Sequence, residues 1–336
     1  MSDTSPAFLV PLFVLSLAAT LAAARSFARR LDRHATALGM PEALVGVLTA
    51  LAADSPEIAS ALVALVTGAR AASVGVIVGS NAFNLAAMIG ASALLAGSVR
   101  LPREALFLEG TVGGLVLLAG AAILLGVVPS AVAAGLTAVV LVPYVLLLVL
   151  GRRFVAVLPL PDRLSSRLGR ALSEHERPDR KELEQEPPAW HQTMLFAWDV
   201  ALIVVGSIGM VQTALALGDR WHLRGAVVGV VVLAPLTSLP NAITAVRLGL
   251  QDRGSALVSE TFNSNTINLV AGVIVPSLFT AIARASLVAK LDLAWLGAMT
   301  VVVSVLLARA GGLRRAGAGV LVWLYAGFVV LQFLVQ

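Results

Sequence analysis

Two copies of one polar pattern lie in separate apolar stretches of the sequence. The first copy is DSPE at 54–57 with GSNAFN at 79–84, and the second is TSLPN at 237–241 with NSNTIN at 263–268. The register has no gaps, since matched residues are always 184 positions apart (241 − 57). Carboxylate, amide and hydroxyl oxygens are the ligands that Na⁺ and Ca²⁺ prefer. The proline in each copy predicts a broken helix, so the pattern indicates a cation site built from both halves of the chain.

Asp54 and Glu57 are the two acids of the pattern. Each carboxylate at membrane depth costs about 2.5–3.5 kcal/mol on insertion scales, so an acid there is a functional hypothesis by default. The two acids are three residues apart, which places them on one helical face, where both would reach a single cation. Pro56 lacks a backbone donor, so we expect the carbonyls of Ala52 and Ala53 to be freed as further ligands.

Neutral oxygens complete the predicted site. In each copy a serine and an asparagine four residues apart share one helical face. The asparagine between them, Asn81 or Asn265, points elsewhere and is expected to satisfy a helix break or to bond between helices. The second copy carries no carboxylate, so the predicted site is asymmetric in charge. The predicted metal ligands are Glu57, Asp54, Ser80, Asn84, Thr237, Ser238, Asn241, Ser264 and Asn268.

The composition is that of a membrane protein. Of 336 residues, 58% are hydrophobic and 13% are charged, against about 25% charged in soluble domains. The basic residues are spread between apolar runs, so nucleic acid is not an expected partner. The absence of cysteine excludes disulfides and thiolate metal sites, and the four histidines show no zinc-binding spacing. Neither a nucleophile–base set nor a nucleotide motif is visible, so we expect no enzyme activity and no cofactor.

Ten apolar stretches are long enough to cross about 30 Å of hydrocarbon as helices. The predicted fold is an all-α polytopic membrane protein embedded in the lipid bilayer. The first stretch is interpreted as a retained span, because arginines follow it and no basic residue precedes it. The approximate spans are 6–25, 41–67, 71–97, 104–126, 129–150, 193–216, 223–249, 254–281, 289–308 and 316–335.

The loops predict the orientation. Loops after odd-numbered spans hold 19 Lys and Arg and the other loops hold five, which predicts both termini outside the cell membrane and the central loop in the cytoplasm. Five spans in each half make the two halves inverted repeats, with spans 2 and 3 facing spans 7 and 8. The predicted domains are a first repeat at 1–150, a cytoplasmic linker at 151–192 and a second repeat at 193–336. The prolines and mixed charge of the linker indicate a mobile segment, although 164–172 has the leucine and arginine spacing of a membrane-surface helix.

The remaining acids of interest lie close to predicted span ends. Asp199, Glu42, Glu104 and Glu109 are interpreted as interface residues. Glu260 has two interpretations, a residue that lines a cytoplasmic entry path or another interfacial acid.

The repeated pattern resembles the α-repeats of the cation/Ca²⁺ exchanger superfamily, the sodium/calcium exchanger membrane region. Each repeat of that family is approximately G-T-S-x-P-E followed by G-S-N-x-x-N or G-S-N-x-x-D, and the matching segments here are 52–57 with 79–84 and 236–241 with 263–268. The resemblance implies that Ca²⁺ and an exchanged Na⁺ or H⁺ bind near the midplane between spans 2, 3, 7 and 8. It also implies that spans 1 and 6 slide against the other eight.

Three positions depart from the family pattern. Asn241 replaces the second-repeat Glu, Asn268 stands where many exchangers have Asp, and Asp54 stands where Ser is usual. The carboxylates are therefore concentrated on one helix.

The sequence predicts a secondary-active antiporter that exchanges Ca²⁺ for Na⁺ or H⁺. The alternatives are an antiporter for another cation, such as Na⁺/H⁺ or Mg²⁺, and a transport-deficient scaffold or sensor; the oligomeric state stays open.

Overall fold

The fold consists of helices, which a computed structural model describes for residues 5–38, 40, 42–151, 154–155, 161, 165–166, 168–169, 190–280, 286–309 and 312–335. Most of the predicted linker, including most of 164–172, lies outside these residues.

Two short antiparallel strands, β1 (Ser98–Val99) and β2 (Leu313–Arg314), pair across the two halves. The first five spans are Pro6–Ala37; Glu42–Ala53 with Ser55–Val66; Arg70–Asn84, Leu85–Ala91 and Ser92–Ala96; Arg103–Leu124; and Ser130–Leu150. The second five are Trp190–Arg220; Gly225–Val227, Val228–Leu233 and Ala234–Leu250; Gly254–Leu269, Val270–Ile274 and Pro276–Leu278; Leu287–Ala308; and Arg315–Leu334.

The described segments fit the ten predicted spans and confirm the all-α polytopic class. Eight are continuous and apolar enough to cross a membrane, and the bent pair of span 2 supplies a ninth. Span 8 has only 16 α-helical residues before its turns widen into the π-helix Val270–Ile274.

Span 1 is longer than predicted. Its helix continues through the arginines to Ala37 instead of ending near residue 25, because Ala, Leu and Arg are strong helix formers and the extension packs on span 6. Arg30 Nε bonds Asp199 Oδ2 at 2.9 Å, and Phe27 stacks edge-on against Phe196. Asp199 is only 4% exposed, so it is buried between spans 1 and 6, and its interpretation as a membrane-interface residue stays a prediction.

Spans 1 and 6 pack closely through small residues. A Cβ at Gly206 would lie 3.0 Å from the Ser16 carbonyl oxygen, and one at Gly209 would lie 3.2 Å from the Ser16 Cβ. Small residues at such crossings let two helices approach within a membrane, where packing drives association. With the Arg30–Asp199 ion pair, these contacts hold the two long helices together as a unit.

Span 3 lies at the centre of the bundle. Its apolar window is 78% buried, against 22% for spans 1 and 10. Span 7 crosses it closely, since a Cβ at Gly229 would lie 2.4 Å from the Ala72 carbonyl oxygen and 3.0 Å from the Val76 nitrogen. Glycine is required there because the neighbouring atoms belong to backbone that cannot rotate away.

We expect Gly229→Ala to destabilise the protein by about 1–3 kcal/mol, the usual range for overpacking a filled core. Thermal unfolding in detergent measures the effect. Gly135 is the matched control, because it is exposed in span 5 and has no atom within 4 Å of an added Cβ. Gly135→Ala should be neutral or slightly stabilising. Equal melting of the two variants would contradict the close approach of spans 3 and 7.

The two halves are related by an inverted two-fold symmetry that is visible at Asn81 and Asn265. Asn81 Nδ2 donates to the Asn265 carbonyl at 3.1 Å, and Asn265 Nδ2 donates to the Asn81 carbonyl at 3.2 Å. The residues are 184 apart, the spacing of the repeat, and exchanged contacts are what a two-fold axis produces. The expectation that these asparagines bond between helices is confirmed.

The helix break is not duplicated. Span 2 bends by 55° between Val47–Ala53 and Ser55–Val66, but Ala234–Leu250 continues as one α-helix through Pro240. The prediction of a second break is therefore wrong. In span 7 the irregularity is the π-helix Val228–Leu233, which ends about two turns before Pro240.

Candidate cation-binding site

Asp54 lies at the bend of span 2 and binds groups from the second half of the chain. Asn241 Nδ2 and Ser264 Oγ each donate to Asp54 Oδ1 at 2.7 Å. The Asp54 side chain is 1% exposed. Spans 2, 7 and 8 therefore meet at one buried carboxylate.

Glu57 occupies the first turn of the helix that follows the bend, and it is fully buried. The free N–H groups and dipole of a helix N-terminus favour a negative side chain at this place. Glu57 Oε1 is 3.5 Å from the same Asn241 Nδ2, and Ser238 lies beside the carboxylate. The two acids thus share one amide, which confirms that their spacing directs both to one space.

The serine of the first copy restores a bond that the proline removes. In a regular helix the Ala52 carbonyl would accept from residue 56, but Pro56 has no N–H. The Ser55 hydroxyl donates to this carbonyl instead, at 2.7 Å. The expectation that the Ala52 carbonyl is freed as a ligand is therefore wrong, and Ser55 acts on the backbone of the bend.

Asn84 extends the polar cluster into span 3. Its Nδ2 donates to Ser264 Oγ at 3.2 Å and to Asn265 Oδ1 at 3.0 Å. Asn268 makes the symmetry-related bond, from Nδ2 to Asn81 Oδ1 at 3.3 Å. Ser264 therefore links span 3 to the carboxylate of span 2, and Asn268 joins the cluster through the asparagine pair at the two-fold axis.

Two predicted ligands stand apart from this network. The Thr237 hydroxyl donates to the carbonyls of Leu233 and Ala234 at 2.9 and 3.1 Å, so its hydrogen is used by the backbone of its own span. Ser80 is fully buried, and its hydroxyl has no hydrogen-bond partner among the described residues. Its counterpart, Ser264, is the serine that reaches Asp54.

Six oxygens of the predicted ligands are buried without a well-formed hydrogen bond to any described residue. They are Asp54 Oδ2, Glu57 Oε2, Ser80 Oγ, Asn84 Oδ1, Ser238 Oγ and Asn268 Oδ1. Leaving a buried polar group unpaired costs about 1–3 kcal/mol, more if it is charged, so a bound ion that these oxygens coordinate would be stabilising. Ca²⁺ takes about 6–8 oxygen ligands. The donor set therefore has the chemistry of a hard-cation site.

The charge of the cluster also calls for a cation. Asp54 and Glu57 are buried, whereas no Lys or Arg is among the buried residues of the described part. Three or more His, Cys, Asp or Glu residues do not gather at any point of the described chain, so neutral oxygens must supply the other ligands here. A divalent cation, or two monovalent ones, would balance the pair.

A second polar cluster was missed by the sequence interpretation. Glu109 is 2% exposed and accepts a hydrogen bond from Ser259 Oγ of span 8, so it is buried between helices, and its placement at the membrane interface stays a prediction. Close by, the Tyr144 hydroxyl donates to Asn263 Oδ1 at 2.8 Å. The sequence did contain a sign that Glu109 is buried. Glu109 follows Arg103, the first residue of its helix, by six residues and so lies about 9 Å from the helix start.

A third buried pair joins spans 9 and 10. Gln332 Nε2 donates to Asp292 Oδ1 at 2.6 Å, and both side chains are nearly inaccessible. Neither residue belongs to a repeated polar pattern that the sequence would reveal. Glu104 and Glu260 are half-buried, so their interpretations stand as predictions, and the side chain of Glu42 lies outside the described residues.

Comparison with known proteins identifies the fold. The crystal structure of the H⁺/Ca²⁺ exchanger CAX is similar over 98% of this chain and 87% of its own, with a TM-score of 0.70 and 14% identity. The structure of native YfkE covers 99% of this chain and 93% of its own, with a TM-score of 0.65 and 14% identity. The sodium-calcium exchanger NCX_Mj covers 96% of this chain and 97% of its own, with a TM-score of 0.60 and 17% identity. No curated protein matches in sequence.

The similarity to these structures gives the fold, a multi-pass bundle of inverted repeats, and the family to which the sequence belongs is one of membrane transporters, not enzymes. The chain belongs to the sodium/calcium exchanger protein family, which matches residues 8–151 and 191–334. The matched residues include both copies of the polar pattern.

Proposed function

We propose that this protein is a secondary-active antiporter that exchanges Ca²⁺ for Na⁺ or H⁺ across the cell membrane. The proposal rests above all on the six buried oxygens around Asp54 and Glu57 that lack a well-formed hydrogen bond to a described residue. Two carboxylates neutralise one Ca²⁺, and the amide and hydroxyl oxygens fill its coordination shell. Mg²⁺ is less well served, because it keeps several waters of its own, and this cluster is buried.

The proposed ligands are the nine predicted residues, with different roles. The six residues with unpartnered oxygens bind the ion directly. Asn241 and Ser264 donate to Asp54 in this structure, and each turns an oxygen toward the ion when one arrives, since an amide or hydroxyl offers both donor and acceptor. Thr237 contributes a lone pair of its hydroxyl, whose hydrogen stays on the backbone. The family pattern supports the positions that match it, whereas Asp54, Asn241 and Asn268 are proposed on the contacts of this structure.

Alternating access is the proposed mechanism. The unit of spans 1 and 6 moves against the other eight spans, which exposes the single site first to one side of the membrane and then to the other. The proposed orientation has both termini outside and the 151–192 linker in the cytoplasm, with residues 1–150 and 193–336 as the two repeats. Because Ca²⁺ and the counter-ion compete for the same carboxylates, an empty site returns only at an electrostatic cost.

Transport of radioactive Ca²⁺ into proteoliposomes tests the function. An imposed Na⁺ gradient in one set, and an H⁺ gradient in another, should drive accumulation above that in protein-free liposomes. Dissipating the gradient with an ionophore should release the ion. Excess Mg²⁺ serves as a competitor that separates a Ca²⁺ exchanger from a general divalent one. Failure of both gradients to drive Ca²⁺ would refute the exchanger and favour a scaffold or sensor.

A further inference from the structure

Span 1 ends in a segment with four arginines, and three of them face away from the rest of the protein. Arg30 bonds Asp199 of span 6 at 2.9 Å. Arg25, Arg29 and Arg33 are exposed and follow one another at a spacing of four residues, which places them on one face of the helix. None of these three forms an ion pair with an acid in the described part of the chain. Together they are the arginine stripe.

The arginine stripe continues the apolar outer face of span 1. The exposed residues that precede it have the three- and four-residue spacing of a single helical face, and they are Pro11, Leu15, Ala18 and Ala22. Leu15 is 67% exposed, and an exposed leucine of a membrane span contacts the acyl chains of lipids. One face of the helix therefore passes from the hydrocarbon to three positive charges.

The length of the helix places the arginine stripe at the headgroups. Residues 6–24 carry no charge, and from Pro6 to Arg25 the helix rises by about 28 Å, nearly the full thickness of the hydrocarbon. Arg29 and Arg33 follow about 6 and 12 Å further along, in and just beyond a headgroup layer that is about 5–7 Å thick. The membrane side that they occupy is the side on which span 5 ends and the linker begins, the linker side.

Trp198 marks the membrane interface independently of the arginine stripe. It is 61% exposed, and tryptophan is enriched at the level of the headgroups. Trp198 directly precedes Asp199, whose carboxylate bonds Arg30, so the indole lies near the height of Arg30 on span 1. Arg29 is one residue, or about 1.5 Å of helix, from that height. The two markers agree that the middle of the stripe lies among headgroups.

Two side chains of the arginine stripe are turned back toward the bilayer. Arg29 Nε donates to the Arg25 carbonyl at 3.2 Å, and Arg33 Nε donates to the Arg29 carbonyl at 3.3 Å. Each bond reaches one helical turn back along span 1, in the direction of the hydrocarbon. A guanidinium has five N–H donors, so the terminal NH₂ groups are left for other acceptors. Phosphate oxygens fit them well, because two parallel N–H groups bind two oxygens at once.

We propose that the arginine stripe binds the phosphate groups of anionic phospholipids in the leaflet on the linker side. The charges are complementary, since the stripe carries +3 and keeps +2 even if the half-buried Asp32 beside it is counted. A lipid is the source of the phosphate because the side chains turn toward the bilayer. The proposed orientation exposes this side to the cytoplasm, where the leaflet is rich in anionic lipids. Through the Arg30–Asp199 ion pair, the bound lipids attach spans 1 and 6 together to that leaflet.

Quenching by brominated lipids tests this binding without any measurement of transport. The chain has no cysteine, so Ala22→Cys gives a single site for a fluorophore, one turn before Arg25 on the same exposed face. The labelled protein is placed in phosphatidylcholine nanodiscs with a minor fraction of phosphatidylglycerol. Either lipid is brominated near its headgroup, at equal mole fraction. At physiological salt phosphatidylglycerol should quench at least about fivefold more strongly per molecule, the gain expected for one arginine beside an anionic headgroup.

Gln in place of all three arginines of the stripe should bring the two lipids to within about twofold of equal quenching. Arg29→Gln alone should lose about half of the preference, since the neighbouring arginines remain. The matched control replaces three other exposed arginines on the linker side, Arg309, Arg314 and Arg315, by Gln and should keep the full preference. Thermal unfolding checks that each variant is folded.

Three results would overturn the lipid site. A wild-type protein that shows no preference for phosphatidylglycerol would exclude it, and so would a preference that survives the loss of the whole arginine stripe. An equal loss in the stripe variant and in the matched control would show a general attraction by positive charge instead of binding at this face. None of these results depends on whether the protein exchanges Ca²⁺.

Discussion

Replacing Glu57 by Gln is expected to abolish gradient-driven Ca²⁺ transport, with a loss of Ca²⁺ affinity of at least about 100-fold, or about 2.8 kcal/mol. Glu57 is fully buried, and its Oε2 has no protein partner in the described chain, so the ion is its proposed partner. Gln has the same shape but carries no charge, and its amide nitrogen would face the ion. The measurement is uptake of radioactive Ca²⁺ in proteoliposomes.

Ligand-induced stabilisation separates loss of binding from loss of folding in this variant. A ligand that binds only the native state raises its melting temperature. Wild-type protein should melt at higher temperature with Ca²⁺ than without it, whereas Glu57→Gln should melt at one temperature in both conditions. Without Ca²⁺ the variant should be at least as stable as the wild type, because a buried charge has been removed. A Ca²⁺-dependent shift that survives in Glu57→Gln would exclude Glu57 as a ligand.

Replacing Asp54 by Asn should reduce Ca²⁺ affinity by about 100-fold as well, while the hydrogen bonds from Asn241 and Ser264 persist on the amide oxygen. The site would keep a single negative charge, which suits a monovalent ion better than Ca²⁺. Equilibrium binding of Ca²⁺ to the purified protein measures the effect. Asp252→Asn is the control, because Asp252 is an exposed loop residue with φ +57°, a conformation that Asn adopts readily.

Moving the charge across the site provides the stricter test of Asp54. Asn241 Nδ2 lies 2.7 Å from Asp54 Oδ1, so a carboxylate at position 241 would occupy nearly the same space. The double variant Asp54→Asn/Asn241→Asp should therefore recover much of the Ca²⁺ affinity that Asp54→Asn loses. If Asp54→Asn alone binds Ca²⁺ as tightly as the wild type, the ion does not depend on the unusual acid of the first repeat.

The sequence predicted which side chains contact one another in the candidate site. Polar residues inside apolar helices find hydrogen-bond partners mainly in other polar residues of neighbouring helices. Glu57, Asn84, Asn241 and Ser264 were named from residue type, position in apolar runs and the register of the repeat, and hydrogen bonds connect them with Asp54 or with each other. The interhelical role of Asn81 and Asn265 also followed from helical periodicity. The all-α class followed from length and composition.

Local backbone geometry was less predictable from the sequence. Both copies contain a proline at the same place, but only the first helix bends there, where the hydroxyl of Ser55 bonds the Ala52 carbonyl, and span 7 stays α-helical through Pro240. The periodicity of polar and apolar residues does not predict whether a helix that contains proline bends. Acids near helix ends were equally ambiguous, since Asp199 and Glu109 are buried by tertiary partners, Arg30 and Ser259, that are distant in sequence.

The exchanged bonds between Asn81 and Asn265 are those that two identical chains would make if one were inserted upside down beside the other. A dual-topology homodimer of five-helix subunits could hold this contact without any linker. It could not hold the present charge pattern, because identical subunits would each carry an Asp54 and a Glu57, and four carboxylates would then surround one ion. Fusion of the two halves into one polypeptide is therefore what allows one half to carry the charge and the other to supply only neutral oxygens.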